Sequence, residues 1–188
     1  MKQKQKFHWL PLLLAICVIL SVVLIGLNKA DNFSKQESFA RRAWVVEAND
    51  RSVKAQVESA VSMLAALNSR VEKGEMSLAK AKTLGADLLR EMRYGQDGYF
   101  WVDTTDGVNV VLYGKKEVEG KNRIDSVVNG VYHVQEIIKN GMKPGGGFTD
   151  YYYTKKDGDQ PLAKRGYSLL FVPFDWVVGT GYYLTDIK

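Results

Sequence analysis

The feature that most constrains this chain lies near its start: residues 7–27 contain no Asp, Glu, Lys or Arg. About 20 apolar residues is the length that crosses a hydrocarbon layer of ~30 Å as a helix, so the segment is expected to span a membrane. Lys2, Lys4 and Lys6 precede it, and a mixed Lys29, Ala30, Asp31 follows. The positive-inside bias makes residues 1–6 a cytoplasmic basic tail and places the rest of the chain outside. The alternative is a cleaved leader, whose apolar stretch usually runs ~7–15 residues and ends in a small-x-small site. Ile25-Gly26-Leu27-Asn28-Lys29-Ala30 is a poor match to such a site.

With 188 residues, the chain has room for one anchor and one globular domain of ordinary size. Cys17 is the single cysteine and falls within the apolar run, so the exported part contains no disulfide and must be held by packing. The formal net charge of +5 owes part of its size to the N-terminal lysines. Lys115-Lys116 and Lys155-Lys156 sit beside Glu117 and Asp157 as solvated turns. They make no nucleic-acid face.

Beyond the span, Val53, Val57, Val61, Leu64, Leu67 and Val71 recur at steps of three and four, and no Pro or Gly interrupts residues 30–73. That pattern predicts one long helix. Gly74 breaks it, and Ala81, Leu84, Leu88 and Met92 restore a stripe for a second, antiparallel helix. These stripes read as core, with a homodimer seam along the long helix as the functional alternative.

From Gly98 the period changes to two. Residues 99–103 and 108–113 are β-branched and aromatic runs around the turn Thr104-Thr105-Asp106-Gly107. Val131, Val134, Ile137 and Ile138 predict a short helix over 130–140, ended by Gly141. Three further strands are expected over 147–154, 163–172 and 176–184. The order is α+β, with an antiparallel sheet covered by helices on one face.

Arg93-Tyr94-Gly95-Gln96-Asp97-Gly98-Tyr99-Phe100-Trp101-Val102 is followed in order by Gly120-Lys121-Asn122, Asn129-Gly130, Tyr151-Tyr152-Tyr153, residues 164–167 and Trp176-Val177-Val178-Gly179-Thr180-Gly181-Tyr182-Tyr183. Taken together, residues 33–187 resemble the single Cache family of extracytoplasmic sensor domains found on chemotaxis receptors, histidine kinases and cyclases. The resemblance implies a PAS-like five-stranded antiparallel sheet behind a long N-terminal helix. Tyr113-Gly114 stands where the family usually has His-Pro. Family members on chemotaxis receptors continue into a second span, a HAMP linker and a signalling domain, so this chain reads as either a truncated receptor or a stand-alone anchored sensor.

Strand alternation places Tyr99, Trp101 and Asp103 on one face, and Tyr151 with Tyr153 on a common face. Lys164 alternates against Tyr167, Leu169 and Phe171, away from the most apolar side of its strand. Arg93 adjoins this aromatic cluster, and a guanidinium there would pair bidentately with a carboxylate. The bland readings are a surface arginine stacked on a ring and a solvated strand lysine. Tyrosines with one or two cations suit a small enclosed anion. Arg93, Tyr99, Trp101, Tyr113, Tyr151, Tyr153 and Lys164 are therefore the expected ligand-binding set. The resemblance implies a short monocarboxylate such as acetate, propionate, pyruvate or lactate. An amino acid fits less well, because Asp103 is the one acid placed on that face to meet its ammonium.

His8 and His133 are too far apart in the sequence to form a metal site or a dyad and read as structural. Gly145-Gly146-Gly147 lacks the rest of a phosphate loop, and no nucleophile–base pair can be assembled. The expectation is a non-enzymatic module without cofactor or metal, anchored singly in the inner membrane with its sensor domain in the periplasm. It would pair as a homodimer through the long helix and pass the signal to the membrane. The rival readings are an anchored interaction or structural protein that binds no small ligand, and the sensor module of a histidine kinase or cyclase.

Overall fold

The computed structural model describes residues 9–156 and 158–187. The chain divides into two compact units, Met1–Trp44 and Val45–Lys188. Helix α1 (Trp9–Glu72) supplies all the described residues of the first unit and enters the second. The expected basic tail, residues 1–6, lies outside the described residues, as do most side chains of the expected span. Among the described residues no helix is long and apolar enough to cross a membrane.

In the second unit α1 buries Val53, Val57, Ala60, Leu64 and Leu67, close to the predicted stripe. Gly74 ends the helix: it takes φ +74°, and the N–H groups of Gly74 and Glu75 return to the carbonyls of Val71 and Arg70 at 2.9 Å each. Ser77 caps α2 (Leu78–Glu91) by accepting from the Lys80 N–H at 3.2 Å. Here the predicted stripe is displaced. The buried residues are Ala81, Gly85, Ala86 and Leu89, while Leu88 is 40% exposed. The reason is close packing, since a Cβ on Gly85 would stand 2.7 Å from Leu64 Cδ2. Only small side chains fit the centre of that contact.

The expected strand over 99–103 is broken at Phe100. β1 (Arg93–Tyr94) and β2 (Gly98–Tyr99) form a separate hairpin, with Arg93 opposite Tyr99. The main sheet contains β3 (Trp101–Thr104), β4 (Asn109–Leu112), β5 (Gly147–Thr154), β6 (Pro161–Phe171) and β7 (Trp176–Tyr183). Its order is β4-β3-β7-β6-β5, antiparallel throughout. The five strands and their sense match the PAS-like expectation.

Both faces of the sheet are covered by helices, which corrects the one-face expectation. Phe100, Val102 and Val178 pack in one cluster with α1 and α2. Trp101, Leu112 and Val177 join Val134, Ile137 and Ile138 of α3 (His133–Gly141) in a second. Alternate residues of β3 and β7 are apolar on either side of the pleat, so each side requires a cover.

Candidate functional site

On the α3 side of the sheet lies a cavity lined by Tyr99, Trp101, Leu112, Arg123, His133, Ile137, Tyr151, Tyr153 and Lys164. The atom-free space among these side chains is about 240 Å³, a figure that includes open solvent at the mouth.

Lys164 comes from β6, whose alternation sends Lys164 and Ser168 to this side and Tyr167 to the α1 side; Ser168 donates to the Ile137 carbonyl of α3 at 3.0 Å. Although a lysine, Lys164 is 1% exposed. Its Nζ donates to the Tyr99 phenol oxygen at 2.7 Å and lies 4.4 to 5.8 Å from the ring centroids of Tyr99, Tyr183, Trp101 and Tyr153. Among the described residues it has no carboxylate partner. Burial lowers its ammonium to about 8 and raises the Tyr99 phenol to about 12.

Trp101 forms the floor beneath these groups because two glycines make room for it. A Cβ on Gly179 of β7 would stand 2.5 Å from its ring, and one on Gly166 of β6 would stand 2.8 Å away. The Trp101 and Tyr151 rings meet edge to face at 6.3 Å.

Arg123 and His133 of the wall come from outside the sheet. Arg123, in the irregular segment between β4 and α3, donates to both oxygens of the fully buried Asp103 at 2.9 and 3.1 Å. Asn109 donates to the same carboxylate at 2.9 Å. Burial pushes the Asp103 carboxyl up, and the Arg123 guanidinium and Asn109 amide oppose that shift. His133 opens α3, is 3% exposed and stacks on Tyr151 at 6.0 Å. Burial, with Arg123 and Lys115 nearby, lowers it to about 4, so it is neutral at pH 7.

The charges in the wall sum simply. Asp103 and Arg123 cancel, His133 is neutral, and Lys164 leaves one positive charge. Several polar atoms of the wall also lack partners. Trp101 Nε1, Arg123 Nε and both ring nitrogens of His133 are buried without a hydrogen bond. Groups left so cost about 1–3 kcal/mol each unless water or a ligand meets them.

Of the residues expected from sequence, the structure brings together Tyr99, Trp101, Tyr151, Tyr153 and Lys164. It places Arg93 and Tyr113 elsewhere. Tyr94 takes the inward position, its hydroxyl 2.5 Å from Thr180 Oγ1, and Arg93 faces out. Its Nη1 donates to the carbonyls of Arg90 and Met92 at 2.7 Å each, and its guanidinium lies 3.6 Å above the Tyr113 ring. Tyr113 is a neighbour of Tyr99, 5.5 Å between centroids, rather than part of the wall. Sequence reasoning missed Arg123 and set His133 aside as structural. Two signals pointed to them: Asp103 on the inner face needed a cation, and His133 lies one helical turn before Ile137 on the buried face of α3.

The family model described as single Cache domain 2 matches residues 45–188. The methyl-accepting chemotaxis protein McpP of Pseudomonas putida is 22% identical over 182 residues, 96% of this chain and 31% of that receptor. The chain spans less than a third of the length of the curated relatives it matches. Two solved structures share its fold at a TM-score of 0.69. One, a periplasmic sensor domain of a chemotaxis protein, is 29% identical and covers 73% of this chain and 96% of its own. The other, a Cache chemosensory domain described for carboxylic acid recognition, is 24% identical and covers 73% and 95%.

Proposed function

The chain belongs to the single Cache domain 2 family, and from that membership we propose that it is the extracytoplasmic sensor module of a chemotaxis-type transmembrane receptor whose cavity takes up one small monocarboxylate. The observation that carries this reading is the Lys164 ammonium, buried beside phenols with no carboxylate among the described residues to neutralise it. A monoanion balances that single charge, while a dianion overshoots it. Acetate, propionate, pyruvate and lactate have the matching charge. An amino acid would bring an ammonium as well, and Asp103 is already committed to Arg123 and Asn109. Carboxylic acid recognition by the Cache domain of like fold supports the same class.

In this reading residues 7–27 anchor the chain in the inner membrane with residues 1–6 in the cytoplasm, and residues 33–187 face the periplasm as the sensor. The signal passes through α1. Arg165, next to Lys164 on β6 but on the opposite face, donates to Asp50 of α1 at 2.9 Å, and Tyr182 of β7 donates to the same carboxylate at 2.8 Å. A shift of β6 on ligand uptake therefore pulls on α1, provided the ligand favours one of two states. A second copy would dock along α1, where Phe33 and Trp44, roughly three turns apart, are 68% and 64% exposed.

A module that binds no small ligand is the competing reading, favoured by the bond Lys164 already makes to Tyr99. Calorimetric titration of the full chain in detergent with the four acids separates the two. Saturable binding of one acid per chain, abolished in Lys164→Met, supports the sensor. Absence of heat with all four acids supports the structural module.

A further inference from the structure

Resting on the carboxylate reading, we propose that His133 makes the cavity selective for monocarboxylates that carry a hydroxyl on the carbon next to the carboxylate. The unpartnered atoms of the wall differ in kind. Trp101 Nε1 and Arg123 Nε are donors, and a carboxylate oxygen can accept from them and from Lys164 Nζ. His133 is neutral, so one of its two bare nitrogens donates and the other accepts. A carboxylate cannot donate, and so an unsubstituted acid leaves the accepting nitrogen of His133 buried and bare. A 2-oxo acid leaves it bare too, since a ketone oxygen only accepts. A hydroxyl both donates and accepts. It is the smallest substituent that satisfies an imidazole nitrogen and still takes a bond from a neighbouring donor.

The positions agree with the chemistry. The Tyr153 ring neighbours both groups, 5.6 Å from the imidazole and 5.8 Å from Lys164 Nζ. His133 stacks on Tyr151, and the Ser126 backbone is the polar group beside its ring; that contact favours an N–H on the nitrogen facing it, falls short of hydrogen-bond geometry, and leaves the other nitrogen as a free acceptor. A site built to bond a ligand hydroxyl rejects the analogue lacking it far more strongly than an apolar pocket rejects a missing methylene.

The test is calorimetry on the full chain with matched acids: lactate against propionate and pyruvate, and glycolate against acetate. The expected result is that each hydroxy acid binds at least about tenfold tighter than its partners. His133→Phe, which keeps the stack on Tyr151, is expected to abolish that preference while propionate still binds, and His133→Leu serves as a second variant should the first fail to fold. Equal affinity for lactate and propionate in the unaltered chain overturns the inference and leaves the carboxylate reading standing. Binding of none of the acids overturns both.

Discussion

Lys164 and Arg165, consecutive on β6, serve opposite faces of the sheet. The Lys164 ammonium lies among the cavity rings, and the Arg165 guanidinium holds Asp50 of α1 through Nε and Nη2 and Asp150 of β5 through Nη1. Strand pleating produces this arrangement, because successive side chains must point to opposite sides. It ties the cavity to the long helix through one peptide unit.

If that tie transmits the signal, Arg165→Met should separate binding from transmission. Acid affinity is expected to stay within about threefold of the unaltered chain. Stability should fall by about 1–3 kcal/mol, less than for a fully buried pair because Arg165 keeps some solvent contact. Hydrogen exchange around Asp50 on α1 should slow on ligand addition in the unaltered chain and not in the variant.

Removing the buried charge should stabilise the empty domain. Lys164→Met keeps most of the side-chain volume and relieves the desolvation of an unneutralised ammonium. Chemical denaturation is expected to show a gain on the order of 1–3 kcal/mol, together with complete loss of acid binding. A charge that destabilises the free fold and is required for uptake is the mark of a site kept for its ligand.

Acid affinity should depend on pH through the same group. The folded Lys164 ammonium titrates at about 8, below its ordinary 10.5. Below pH 8 it is charged and affinity is flat; above pH 8 each further unit should weaken binding about tenfold. The empty fold responds in the opposite sense. The burial penalty is complete below pH 8 and is relieved as pH rises toward 10.5. Titrations at pH 7, 8 and 9 check the first effect, and denaturation midpoints check the second.

His133 sets a second pH window. Its folded value of about 4 lies below the ordinary 6.5, so on acidification the unfolded chain takes up the proton first. Stability contributed by the neutral imidazole is present above pH 6.5 and lost as pH falls toward 4, by at most about 3 kcal/mol. His133→Phe should lose less stability across that window.

The floor of the cavity depends on the absence of a side chain. Gly179→Ala places a Cβ where the Trp101 ring now lies and should drive the indole into the cavity. Acid affinity is expected to fall about tenfold or more, with about 1–3 kcal/mol lost to overpacking. Calorimetry and thermal melting read the two effects separately.

Period-two alternation made the sheet side of the cavity legible in advance: Tyr99, Trp101, Tyr151, Tyr153 and Lys164 stand where their strands place them. Nearness in the chain to those aromatics puts Arg93 in the expected set, but its guanidinium lies over Tyr113 and bonds the Arg90 and Met92 carbonyls, while Tyr94 turns to the α1–α2 cluster. Arg123 lies in a segment without regular period, and its role follows from Asp103, a tertiary contact no local pattern encodes. The cover of both faces was also hidden, because the short α3 gives no sign of which side it packs on. The shifted stripe of α2 has a packing cause: small residues sit where the helices touch.

The most direct measurement is a crystal structure of the chain grown with lactate. The account expects one lactate in the cavity, a carboxylate oxygen within about 3 Å of Lys164 Nζ, and its hydroxyl on His133. A cavity that stays free of lactate at saturating concentration, or lactate bound instead beside Arg93 and Tyr113, would contradict it.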